Sequence, residues 1–228
     1  MKKKESYFTT FELLLFTLSL FISVFFFFIF RNSEYLYLIS SLIGVTALLF
    51  VSKGNPVGQI LTVVFSVFYG IVSYSCGYYG EMITYLGMTT PIAILSIITW
   101  IKNPSDKNKS EVKVNKLKNK EYIIMFLVAI LVTGGFYFIL DALNTNNLII
   151  STISVFTSFI AAYLSMRRSR FYALGYALND IILIILWVYM SIESANYISM
   201  VICFVAFLVN DLYGFINWTR LSKKQMMN

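Results

Sequence analysis

A chain of 228 residues that is 58% hydrophobic and only 13% charged cannot present a water-soluble surface, since soluble domains carry roughly a quarter charged residues. Its net charge of +7 comes with no histidine and with two cysteines, Cys76 and Cys203, isolated in apolar runs. This removes the commonest general base and metal ligand and any CxxC or disulfide framework, so both cysteines read as packing residues.

The basic start, Lys2 to Lys4, leads into the apolar run Phe8–Phe30. That run is longer than a signal-peptide core and no small-residue cleavage site follows it, so it is a first membrane span. Further spans are expected at Tyr35–Ser52, Val57–Ser75 and Tyr79–Ile101, then at Glu121–Leu140, Leu148–Met166, Phe171–Met190 and Tyr197–Trp218. Each is about 18–23 residues, enough to cross a hydrocarbon core at about 1.5 Å per residue. Strand-type alternation is absent, which argues against a β-barrel. The fold class is therefore all-α and integral to the membrane, with about eight transmembrane helices.

Charge sets the orientation. With eight spans, Lys2–Lys4, Lys53, Lys102, the lysines from Lys107 to Lys120, Arg167, Arg168, Arg170, Arg220, Lys223 and Lys224 fall on one side. Only Arg31 lies opposite, with Glu34, Glu81, Asp141 and Glu193. Cytoplasmic loops collect Lys and Arg, so both termini are expected in the cytoplasm, in a multi-pass protein of the cell membrane. Spread along an inner rim, the basic residues address anionic lipid rather than nucleic acid.

The polar, Lys-rich segment 102–120 is the one linker. It divides the chain into an N-terminal half, 1–101, and a second half, 121–228. A hairpin opened by Lys53 and closed by Trp100-Ile101-Lys102 in the first half matches one opened by Arg170 and closed by Trp218-Thr219-Arg220 in the second. An even number of helices per half gives both the same orientation. Parallel repeats of this kind are a transporter plan, with substrate held between the halves near the midplane.

Polar groups inside the spans are costly and mark function or helix-to-helix bonding. Asn179-Asp180 lies mid-way along the seventh span and Asn210-Asp211 in the inner part of the eighth. Adjacent helical residues point about 100° apart, so one member of each pair can face a cavity while the other faces a neighbouring helix. In the first half the comparable residues are Gln59, Thr62, Ser66, Glu81, Thr84 and Tyr85. Glu81, at an outer helix end, reads as a solvated cap, and Gln59 as a gate or interfacial group. Tyr172, Tyr176, Trp187, Tyr213 and Trp218 flank the candidate site. They suit stacking on a flat heterocycle, but Tyr172, Trp187 and Trp218 also suit an interfacial belt.

The final span, Asn210-Asp211-Leu212-Tyr213-Gly214-Phe215-Ile216-Asn217-Trp218 followed by Thr219-Arg220, resembles the YG-xxx-W-basic ending of the PnuC family of vitamin transporters. Tyr78-Tyr79-Gly80-Glu81-Met82, running on to Trp100-Ile101-Lys102, is similar to the corresponding element of their first repeat. The resemblance implies a fold like that of full-length SWEET sugar transporters: two parallel three-helix repeats, spans two to four and six to eight, joined by span five, with span one added outside. It also implies transport of nicotinamide riboside or a related vitamin or nucleoside. The family's W-xx-W-xxx-N motif falls on Tyr172, Gly175 and Asn179, of which only Asn179 is retained. The candidate substrate-binding set is therefore Asn179, Tyr172, Tyr176, Asp180, Asn210, Asp211, Tyr213 and Gln59.

No GxxxxGKS/T or GxGxxG motif is present, so the chain shows no ATP or dinucleotide cradle of its own. No cofactor, metal or catalytic constellation is expected, and an intramembrane enzyme is disfavoured. The expectation is a carrier that lets substrate run down its gradient, with phosphorylation trapping it in the cytosol. The rivals are a substrate-capturing subunit served by a separate ATPase and a non-transporting scaffold or receptor. Partners are a small vitamin or nucleoside and the bilayer, with further copies of the chain in a homo-oligomer as an additional option.

Overall fold

A computed structural model describes residues 7–30, 35–106 and 108–227. The expectations for Lys2–Lys4, Arg31, Glu34 and Lys107 fall outside the described residues. Among the described residues, eight helical segments are long and apolar enough to cross a membrane. They are α1 (Thr10–Ile29), α2 (Tyr35–Ser52), α3 (Pro56–Ser75), a broken fourth span, α6 (Asn119–Ala142), α7 (Leu148–Met166), α8 (Tyr172–Glu193) and α9 (Ile198–Met226). The fourth span is built from α4 (Tyr79–Ile83), a π-helical segment (Thr84–Thr89) and α5 (Thr90–Lys102). Among the described residues the only strand-like pairing is a lone antiparallel bridge between Pro104 and Val112.

The break in the fourth span has a local cause. Pro91 has no N–H to return to the preceding turn and its ring crowds that turn. The wider π register absorbs the mismatch, and Thr90 Oγ1 donates to Tyr85 O at 2.8 Å.

The two halves pack in the same way. Helix α2 lies against α9 as α7 lies against α5; α1 lies against α2 and α9 as α6 lies against α7 and α4. The correspondence reaches single bonds. Glu12 in the first turn of α1 accepts from Thr9 N at 2.7 Å and pairs with Lys53 at 3.1 Å. Glu121 in the first turn of α6 accepts from Lys118 N at 2.9 Å and pairs with Arg167. Lys53 and Arg167 open equivalent turns after α2 and α7. Each turn then takes a left-handed residue, Gly54 at φ +68° and Arg168 at φ +57°. Glycine adopts this conformation freely; Arg168 adopts it while its carbonyl accepts from Asn115 N at 2.9 Å.

The linker runs as a strap across the face that carries both of these turns, called the linker face below. Val112 is fully buried. Its N–H donates to Gly54 O at 2.8 Å, and Gln225 near the end of α9 grips Val112 O (3.1 Å) and Val114 N (2.8 Å).

Three expectations are corrected by burial. Glu81 is not a solvated cap: it is 0% exposed, because Gly77 turns the chain inward and α4 packs between α3, α6 and α7. Trp187 is not a belt residue: it is buried and donates Nε1–H to Tyr69 OH at 2.9 Å. Trp218 and Tyr172 likewise pack inside the bundle, their ring centroids 4.7 Å apart.

Candidate functional site

Between the halves lies a small cavity. Gly44, Ala47, Leu48 and Val51 of α2 form one wall and Gln59, Thr62 and Phe65 of α3 another. Tyr85 and Thr89 of the π segment, Tyr176, Asn179 and Asp180 of α8, and Phe207 and Asp211 of α9 complete it. Every spanning element of both three-helix groups except α7 contributes, and α7 acts from behind. Thr157 Oγ1 and Ser158 Oγ of α7 each donate to Asn179 Oδ1 at 2.8 Å. With its oxygen held from the rear, the Asn179 amide lies beside the Tyr85 hydroxyl and has its nitrogen available as a donor.

The other polar groups are similarly posed. Gln59 Nε2 donates to Ser165 Oγ at 3.1 Å, tying α3 to α7 from the floor. Asp180 and Asp211 face each other across the α8–α9 contact, and Asp180 Oδ2 has no hydrogen-bond partner. Among the described residues no lysine or arginine lines the space.

Aromatic side chains close the cavity at both ends. Toward the far face, Phe65 meets Phe207 (5.3 Å between centroids) and Tyr69 meets Tyr85 (4.4 Å) and Phe204 (5.4 Å). Toward the linker face stand Trp100, Trp218 and Tyr172, all buried. The cavity measures about 50 Å³, well below the about 300–1,000 Å³ of ligand pockets, so a heterocyclic ligand requires the surrounding side chains to move apart.

The structure thus brings Asn179, Tyr176, Asp180, Asp211 and Gln59 to one cavity. Three other candidates point elsewhere. Asn210 Nδ2 donates to Ser19 Oγ of α1 at 3.0 Å and to Ala206 O at 2.8 Å. Tyr213 OH donates to Glu12 Oε1 at 2.8 Å, and Tyr172 belongs to the linker-face plug. Gly175 does not line the cavity either: a Cβ there would sit 2.9 Å from Ala161 Cα, so it is the close-approach point of α7 and α8. Phe65 and Phe207, which cap the site, carried no signal in the sequence beyond being aromatic.

An eight-span bundle that closes two like halves over a central, mainly apolar cavity with a few polar groups has the build of a membrane carrier. The family model for the nicotinamide mononucleotide transporter matches residues 34–220, and the chain belongs to that family, the PnuC transporters. The nicotinamide riboside transporter PnuC of Neisseria mucosa is 24% identical over 201 residues, covering 86% of this chain and 76% of that protein. The nicotinamide riboside transporter PnuC of Haemophilus influenzae is 26% identical over 192 residues, covering 84% and 82%. A crystal structure of the vitamin B3 transporter PnuC superposes with a TM-score of 0.84 at 24% identity, covering 96% of this chain and 94% of that one, which shows the shared fold. The chain is a multi-pass membrane transporter, not an enzyme.

Proposed function

We propose that this transporter carries nicotinamide riboside, bound in the central cavity by Asn179, Gln59, Tyr176, Asp180 and Asp211. The observation that carries this reading is the charge of the lining: two carboxyl groups and no basic side chain. The pyridinium ring of the riboside bears a fixed positive charge, which a buried carboxylate complements at low dielectric. A mononucleotide would instead bring a phosphate beside Asp180 and Asp211 with no Lys or Arg to receive it. The relatives named for the riboside agree with this choice. The Asn179 and Gln59 amides offer donors and acceptors for vicinal ribose hydroxyls, and Tyr176 and Tyr85 offer ring faces for the base.

Transport is by facilitated diffusion, with cytosolic phosphorylation trapping the product, because a phosphate ester cannot re-enter an acidic site of this kind. Both termini and the 102–120 linker face the cytoplasm, and the chain works as two halves, 1–101 and 121–228. Uptake of labelled nicotinamide riboside into proteoliposomes containing this chain alone, without ATP, tests the reading. Saturable uptake, competed weakly by the mononucleotide, is expected. Flux that stays absent until a separate ATPase is added, or stronger competition by the mononucleotide, would overturn it.

A further inference from the structure

Outside the central cavity the fourth span holds a second polar cluster. Glu81, the third residue of α4, is wholly buried, and among the described residues neither of its carboxylate oxygens makes a hydrogen bond of ordinary geometry. Among the described residues no lysine or arginine pairs with it. Ser154 of α7 lies beside the carboxyl, close enough to interact with it but without a hydrogen bond of ordinary geometry. Thr84, one turn along, is 0% exposed with an orphaned Oγ1. Thr145, in the turn between α6 and α7, turns its Cγ2 methyl toward Gly80 and closes the cluster on that side. Buried oxygens of the fourth span and of α7 thus stand together, without a hydrogen bond of ordinary geometry among the described residues. Orphaned buried groups of this kind are rare and call for a cause, and a lone carboxylate at membrane depth is costly unless paired.

We propose that Glu81, Thr84 and Ser154 bind a small monovalent cation of the sodium class. All the available donors are hard oxygens, which suits a hard cation and excludes soft metals. One carboxylate supplies one negative charge, which balances a single positive charge; a divalent ion is ordinarily held by more carboxylates than this. The cation turns the cluster from several unsatisfied acceptors into one neutral, satisfied unit.

The location gives the ion a mechanical role. The π-helical segment begins at Thr84, inside the cluster, and ends at Thr89. Two of its residues, Tyr85 and Thr89, line the central cavity. An ion on Glu81 and Thr84 therefore fixes the register of the segment that presents Tyr85 to the transported ligand. The site itself does not depend on which ligand the cavity takes.

The test uses the purified full chain in detergent at fixed neutral pH and ionic strength, with choline chloride replaced stepwise by sodium chloride. The unfolding temperature is expected to rise saturably by several degrees, because a ligand that binds only the folded state stabilises it. Glu81→Gln is expected to abolish the rise. Ser154→Ala keeps the charge and removes one ligand oxygen, so it should shift the sodium midpoint upward roughly tenfold; it carries the test if Glu81→Gln fails to fold. No sodium-dependent rise in the unmodified chain overturns the proposal. A rise that Ser154→Ala leaves unchanged also overturns it. Stability that follows pH and ignores sodium means a bare proton on Glu81 and overturns it equally.

Discussion

Trp100 and Trp218 meet with ring centroids 5.3 Å apart, and each reaches across into the opposite half for its hydrogen bond. Trp100 of the first half donates Nε1–H to Ser165 O at the end of α7, and Trp218 of the second half donates to Val51 O at the end of α2, both at 2.9 Å. Their neighbours repeat the exchange: Thr99 Oγ1 donates to Met166 O at 3.1 Å and Asn217 Nδ2 to Ser52 O at 2.7 Å. The linker-face plug is thus a two-fold clasp.

Replacing either tryptophan with phenylalanine removes one buried donor, while Ser165 O keeps Arg168 N and Val51 O keeps Gly54 N. Each change is expected to lower stability by about 0.5–1.5 kcal/mol, the net worth of one hydrogen bond. Because the rings touch, the double variant should lose measurably less or more than the sum. Thermal unfolding of the two single variants and the double variant in detergent checks this. Strict additivity would mean that the two indoles act independently.

Asn179→Ala is expected to weaken riboside binding by about 1–3 kcal/mol and also to lower the unfolding temperature, since Thr157 and Ser158 lose their acceptor. Asn179→Asp keeps the shape but exchanges the amide donor for a charge, and should fail as well. Binding and unfolding are to be measured on the same purified sample. Unchanged affinity in the folded alanine variant would leave Asn179 as a packing residue alone.

Asp211→Asn and Asp180→Asn preserve volume while removing a carboxylate. The expected outcome is selective: affinity for the cationic riboside falls by roughly tenfold or more, the scale of one charge-assisted bond, while affinity for an uncharged nucleoside of similar shape changes little. Competition binding with the two ligands separates charge recognition from a general loss of fold. Equal losses for both would remove the charge argument for the riboside.

Ser110, in the linker, is exposed. A cysteine placed there is expected to resist an impermeant reagent added outside intact cells and to react once the cells are opened. The linker shares its face with Lys53, Arg167 and Lys224, and basic loops stay in the cytoplasm. Labelling in intact cells would invert the topology.

Span positions were legible in the sequence because apolar run length is a direct physical requirement of lipid; α2 and α7 begin and end where the runs do. Burial was much less legible. Glu81 stands next to a loop and looks wet on paper, yet Gly77, Gly80 and the π segment fold it into the bundle. Trp187 reads as a belt residue, and its contacts with Tyr69 and Tyr78, both far away in sequence, draw it inward. The paired Asn-Asp steps on α8 and α9 looked alike, but helix phase sends Asp211 to the cavity and Asn210 to α1. The order of the linker was invisible as well, because Gln225 holds it from more than 100 residues away.

The strap also acts as a ruler. It is pinned at Val112 to the Gly54 turn and at Asn115 to the Arg168 turn, and these are the equivalent corners of the two halves. Three residues of fully extended chain reach about 11 Å at most. While both pins hold, the two corners cannot be drawn further apart than that tether and its two hydrogen bonds allow, so any wider mouth on this face begins with the release of one pin.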